Sequence, residues 1–163
     1  MKNYAVKQFL KFKNPHEDID LAYLHPNLLM VVGYIGAFCL EHGIEPVFTS
    51  VVRSKVQNEK YNSRSMTHVQ GRAVDMSLNI SHGWNYELTQ KLVDDLNTLV
   101  NLKPTDERPN PFYNVGAISS KDLVQRVIVI HKNWNAPESS DRNDFTHAHI
   151  QVRPDEDWAE YLK

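Results

Sequence analysis

Cysteine is almost missing from this chain: Cys39 is the single one in 163 residues. One thiol cannot close an internal disulfide, so nothing in the sequence calls for an oxidising compartment. Lying in the apolar run "GAFCLE", it reads as a small core residue. A charge excess of either sign is also missing. The 18 basic and 20 acidic side chains leave a formal charge of −2, and no long basic run breaks the balance. That argues against nucleic acid as a partner. Long hydrophobic runs are absent too, since no stretch approaches the roughly 18 apolar residues of a membrane span. The opening "MKNYAVKQFLKFKNPHEDID" has lysines but no apolar core with a small-residue cleavage site after it. The expectation is cytoplasmic synthesis without a signal peptide, any action on a cell wall following release. With no repeat, low-complexity segment or boundary signal, residues 1–163 read as a single domain, large enough to bury a core and expected to be monomeric.

What is present is periodicity of two kinds. Apolar residues at 28, 31, 32, 35, 38 and 39 have helical spacing between Pro26 and Gly43. "EPVFTSVVR" follows, rich in β-branched residues, and predicts a strand over 46–53 with Arg53 at or near its end. The polar stretch "SKVQNEKYNSRSMTH" reads as a loop with room for one turn of helix. In "RAVDMSL", Arg72, Val74, Met76 and Leu78 share one strand face while Ala73, Asp75 and Ser77 share the other. Leu88, Leu92, Leu96 and Leu99 then mark a second amphipathic helix, followed by the proline-rich "NLKPTDERPNP". "QRVIVIH" looks like a buried central strand, "NWNAPESSDRND" a polar loop, "THAHIQVRP" an alternating final strand, and "DEDWAEYLK" a short helical tail. Interspersed helices and short strands predict an α+β fold, with a small, mostly antiparallel sheet flanked by helices.

The final strand carries the first chemical signal. His147, His149 and Gln151 share one face, and Ala148, Ile150 and Val152 the other. A His-x-His pair alone is most often a half-exposed edge, but neutral imidazoles on one face also suit a metal. Taken singly, His68 is a loop histidine and Asp75 a strand aspartate that could pair with Arg72 or a turn amide. Gly71 between them permits a tight bend that brings both to one point. A catalytic zinc needs three protein ligands from His, Asp or Glu and one open position. His68, Asp75 and one of His147 or His149 make up that count. A donor set without thiolate also argues against a closed structural zinc site.

These segments, "FTSVVRS", "THVQGRAVD" and "HAHIQV", resemble in order and spacing the motifs of the zinc D-Ala-D-Ala carboxypeptidase and L-alanyl-D-glutamate endopeptidase family, whose fold the hedgehog signalling domain shares. The residues that carry the resemblance are Thr49, Ser50, Arg53 and Ser54, then His68, Gly71, Ala73 and Asp75, then His147, His149, Ile150 and Val152. The resemblance spans about residues 46–153. It implies that His68, Asp75 and His149 bind Zn²⁺, that Arg53, Thr67 and Gln70 contact substrate, and that Arg53 and His147 steady charge during peptide hydrolysis. The implied substrate is a peptidoglycan stem peptide, cut by a carboxypeptidase or by an endolysin-type endopeptidase.

Two positions depart from the family pattern. Met66 stands where a serine is usual, two residues before His68. The general-base acid commonly lies three residues before the last ligand, whereas Asp144 is three before His147 and five before His149. Either His147 is the ligand and Asp144 keeps the common spacing, or His149 is the ligand and His147 begins a His-x-His pair. The alternating run after His149 fits the second choice better, with Asp144 as the acid for the base role. The rival expectation is a non-catalytic zinc-binding module of the same fold; a third is an interaction domain without metal. His131, at the end of its strand, is placed to touch the site and the 133–143 loop to flank it, while His82 and Trp84 read as a surface turn before they read as an edge of the cleft. His16, His25 and His42 read as structural or solvated.

Overall fold

Pro26 sets the backbone of the first helical turn, and the buried ring of His25 caps it, its Nδ1 accepting from the Asn27 amide at 3.1 Å. The helix this starts, α1 (Pro26–Glu41), turns Leu28, Val31, Val32, Ile35, Phe38 and Cys39 inward. These are the six positions that the spacing picks out. Burying each large side chain contributes about 1.5–3 kcal/mol. Burial pushes the Cys39 thiol up to about 12, consistent with an inert core position.

The computed structural model describes residues 11–12, 23–44, 46–61, 63, 65–77, 86–119, 123–132 and 145–154. Around α1 it has β1 (Lys11–Phe12), β2 (Val47–Ser50), α2 (Lys55–Lys60), β3 (Ala73–Ser77), α3 (Tyr86–Leu99), β4 (Ala117–Ile118), β5 (Gln125–Arg126), β6 (Ile128–Lys132) and β7 (Phe145–Gln151). Five strands form one sheet in the order β1-β2-β3-β7-β6. Among the described strands of this sheet β1–β2 is the one parallel pair; β2–β3, β3–β7 and β7–β6 are antiparallel. β4 and β5 form a separate two-stranded ladder. The chain is thus α+β with a small, mostly antiparallel sheet, as its mixed periodicities predict. Among the described residues no helix is long and apolar enough to cross a membrane.

Alternation decides which sheet face is dry. Val74 and Met76 of β3, Ile128 of β6, and Ala148 and Ile150 of β7 join the α1 side chains and Leu92, Val93 and Leu96 of α3 in one core. α3 is tied to the sheet by Asn97, whose Oδ1 accepts from the Val127 amide at 2.9 Å and whose Nδ2 donates to the Ile128 carbonyl at 3.0 Å. The opposite face of β3 and β7 carries Asp75, His147, His149 and Gln151, and it remains for chemistry.

Several expectations are corrected. β6 borders the described sheet instead of running through its centre, and Val129 is 40% exposed. An unbroken apolar run does not distinguish a strand buried on both faces from one covered on a single face. The strand expected over 46–53 ends at Ser50, after a register shift against β3, and Arg53 lies beyond it. The polar stretch that follows does hold the short helical turn allowed for it, α2, because Ser54 is its N-cap in a capping box with Gln57. β1 was not legible at all, since two residues carry no periodicity. His82, Trp84, Asp144, the 133–143 loop and the 155–163 tail lie outside the described residues.

Candidate metal centre

"THVQGR" folds as a single helical turn with a defined stop. The amide of Arg72 donates to the Thr67 carbonyl at 2.8 Å and that of Gly71 to the His68 carbonyl at 3.1 Å, the paired bonds of a Schellman cap. Gly71 occupies the left-handed position with φ 64°. A Cβ there would lie 2.0 Å from the Tyr23 carbonyl oxygen, so the turn also needs glycine for close approach to the segment before α1. The His25 amide completes the junction by donating to the Gly71 carbonyl at 2.8 Å. His68 therefore projects from a turn fixed at both ends, and its side chain is buried.

The other two groups come from strand register. Asp75 on β3 pairs directly with His149 on β7, while Ser77 pairs with His147. His149 Nδ1 lies 2.8 Å from Asp75 Oδ1, and His68 Nε2 lies 3.4 Å from Asp75 Oδ2. Ligand atoms of His68, Asp75 and His149 all fall within 4.8 Å of one another, with His68 and Asp75 buried and His149 half-buried. This group can hold a metal ion.

The remaining ring nitrogens indicate which form the imidazoles take. His68 Nδ1 faces the Val51 carbonyl at 2.9 Å, so it must carry the proton and leave Nε2 as a lone pair. His149 Nε2 faces Gln151 Oε1 at 3.1 Å, which by the same reasoning leaves Nδ1 as the free donor atom. Two lone pairs and a carboxylate then point at each other, with two of the three residues buried. Beyond the Arg53 guanidinium that meets Asp75, such a cluster favours further positive charge inside it, either protons or a cation, and neutral imidazoles braced by second acceptors are the form that metals bind.

Without an ion, protons take that place between the groups. Burial alone would push the Asp75 carboxyl up, but hydrogen bonds from His149 and His68 and their charge outweigh it and hold it well below the usual carboxylate range. Burial likewise depresses His149, yet the Asp75 bond and charge raise it above the ordinary histidine value. Burial holds His131 low, helped by His147 and His149. It also holds His147 low, against the pull of Asp75. Both rings are therefore shifted towards the neutral form. The His131 ring stands 5.2 Å from that of His147, its cross-strand partner, and 5.8 Å from that of His149.

The other site residues named from sequence divide. Arg53 is at the centre, with its Nη2 on Asp75 Oδ2 at 2.7 Å, its Nε on Ser50 Oγ at 2.8 Å and its guanidinium 5.1 Å from the Tyr61 ring centroid. Asp75 thus pairs with Arg53 and not with its near neighbour Arg72. Arg72 instead binds Gln70 Oε1 and the Val152 carbonyl, which engages Gln70 in holding β3 against the end of β7. Thr67 is buried, its hydroxyl 3.0 Å from that of Ser65. Met66 is 41% exposed and touches Asn58 Nδ2 through its sulfur at 3.9 Å. Asn58 also donates to the Ser63 and Ser65 carbonyls, so it supports the approach to His68.

Sequence reasoning missed two supports, Val51 and Gln151. The Val51 contact uses a backbone carbonyl, to which no residue type gives a clue. Gln151 was visible as the third polar residue of the His147, His149 face, and only its bond to His149 gives it a purpose. Comparison with family models, curated proteins and solved structures yields no match.

Proposed function

We propose that the protein is a zinc metallopeptidase that hydrolyses peptidoglycan stem peptides, as a D-Ala-D-Ala carboxypeptidase or an endolysin-type endopeptidase. The observation that carries the reading is the convergence of His68 and Asp75, from one of the segments that resemble the hedgehog-like zinc peptidase family, with His149 from another. A two-histidine, one-carboxylate set without thiolate suits a catalytic zinc with a position left for water or substrate.

When bound, zinc supplies Lewis acidity towards a peptide carbonyl and acidifies water to near neutrality. The chain's own groups do the rest. His68 and His149, each braced through its second nitrogen, keep their lone pairs directed inward. His147, shifted towards the neutral form and two residues from His149 on the same strand face, donates to the oxygen that gains charge as the carbonyl is attacked. Arg53 retains Nη1, which no contact among the described residues uses, for a substrate carbonyl or carboxylate. Asp144, assigned from sequence, takes the proton of the attacking water and returns it to the leaving amine.

Two features favour a second reading, a zinc-binding module without hydrolysis: Arg53 is engaged by Asp75 and Ser50, and Met66 replaces the usual serine. The two readings separate on product. Zinc-loaded protein incubated with purified peptidoglycans of several chemotypes is expected to release D-alanine or stem-peptide fragments, identified by mass spectrometry. Asp144→Ala should keep its zinc and lose activity by about 10²- to 10⁴-fold. Stoichiometric zinc with no product from any chemotype would favour the non-catalytic module.

A further inference from the structure

The segment Thr49 to Arg53 reaches two of the three ligand residues from behind. The Val51 carbonyl accepts from His68 Nδ1, and the Arg53 amide donates to the His68 carbonyl at 3.4 Å. Ser50 is the register partner of Asp75, and Thr49 Oγ1 donates to the Asp75 carbonyl at 3.4 Å. Arg53 then closes on the Asp75 carboxylate itself at 2.7 Å. Its side chain is only 17% exposed, and three contacts fix it: a carboxylate, a hydroxyl and an aromatic face.

We infer that Arg53 is a positioning residue for the metal ligand Asp75, gripping Oδ2 so that Oδ1 is held towards His149 and the ion. This rests on the metal-centre reading above and assigns Arg53 a task apart from substrate contact. A carboxylate with a free second oxygen rotates about its Cβ–Cγ bond and can turn away from the ion or share both oxygens with it. Arg53 removes that freedom, because the Ser50 bond at Nε sets the guanidinium plane while Nη2 holds Oδ2. Its charge also repels an incoming cation. Delocalisation over the guanidinium and stacking against Tyr61 soften that repulsion, whereas loss of the grip would leave one oxygen of a side chain only 10% exposed without its closest donor.

The test is zinc affinity by competition with a chromophoric chelator, on the full chain, with thermal melts of the zinc-free proteins alongside. Arg53→Gln is expected to weaken zinc binding by about 10- to 100-fold, the usual effect of removing a group that orients a ligand. Arg53→Lys, which keeps the charge but reaches only one oxygen, should recover part of that loss. A merely structural role would lower the melting temperature of the zinc-free protein without a separate change in affinity. Unchanged or tighter binding in a folded Arg53→Gln would overturn the inference and leave the metal centre standing. A wild-type protein that binds no zinc would overturn both.

Discussion

Asp75→Asn is expected to abolish stoichiometric zinc binding although the substitution preserves the side chain's shape. The carboxylate is the single anion of the ligand group, and it stands opposite three nitrogen-bearing side chains: Arg53, His68 and His149. Without its charge, neither a divalent ion nor protonated imidazoles are balanced in that space. The zinc-free protein should also lose about 2–4 kcal/mol, measured by urea denaturation. That is somewhat less than for a fully buried broken pair, because Arg53 and His149 remain 17% and 22% exposed. The pH dependence has a definite sign. The Asp75 carboxyl is held below its ordinary value of 3.8, so its contribution to stability is complete above that pH. It is lost as acid carries the solution down towards the folded value, and Asp75→Asn should therefore flatten the acid limb of the stability curve. An asparagine variant that keeps one zinc per chain would mean that the ion, if any, sits elsewhere.

Gly71→Ala is expected to cost more than the same change at Gly33, Gly43 or Gly116. Two costs combine: a left-handed backbone at φ 64°, and a Cβ 2.0 Å from the Tyr23 carbonyl oxygen. The first costs about 1–2 kcal/mol and the second about 1–3, so a loss on the order of 3 kcal/mol follows. For a chain of this length that corresponds to a drop of roughly 6–12 °C in melting temperature. Gly43→Ala is the internal control. Its φ of 65° is equally left-handed, but nothing lies within 4 Å of the added carbon, so only the backbone cost should appear. Equal losses in the two variants would show that the contact with Tyr23 is not tight. Because the same turn carries His68, Gly71→Ala should also weaken zinc binding in whatever fraction stays folded.

The sequence makes some of this legible, and the physics explains which parts. α1 and the dry face of β7 were readable because each is long enough for its period to repeat, and their predicted buried positions are the ones found. Gly71 was readable as a bend because glycine tolerates the left-handed region. Its second duty, making room for Tyr23, depends on a segment some 48 residues away and leaves no local trace. β6 was misjudged because an apolar run does not reveal how many faces are covered. The candidate site shows the same division. Side chains set by strand alternation, Asp75, His147 and His149, could be assigned to a common face, since alternation fixes direction. Contacts made by backbone, such as Val51 to His68, and choices among partners, such as Arg53 over Arg72 for Asp75, depend on register and on the bulge in β2. No residue type announces them.

The claim on which the account depends is that one ion is held by His68, Asp75 and His149, with His147 beside the ligand set and not in it. Metal content, measured by plasma mass spectrometry after gel filtration in zinc-containing and then zinc-free buffer, tests it directly. The account predicts about one zinc per chain in the wild type and in His147→Ala, and none in His149→Ala. Full zinc occupancy in His149→Ala, or its loss in His147→Ala with His149 intact, would contradict the account.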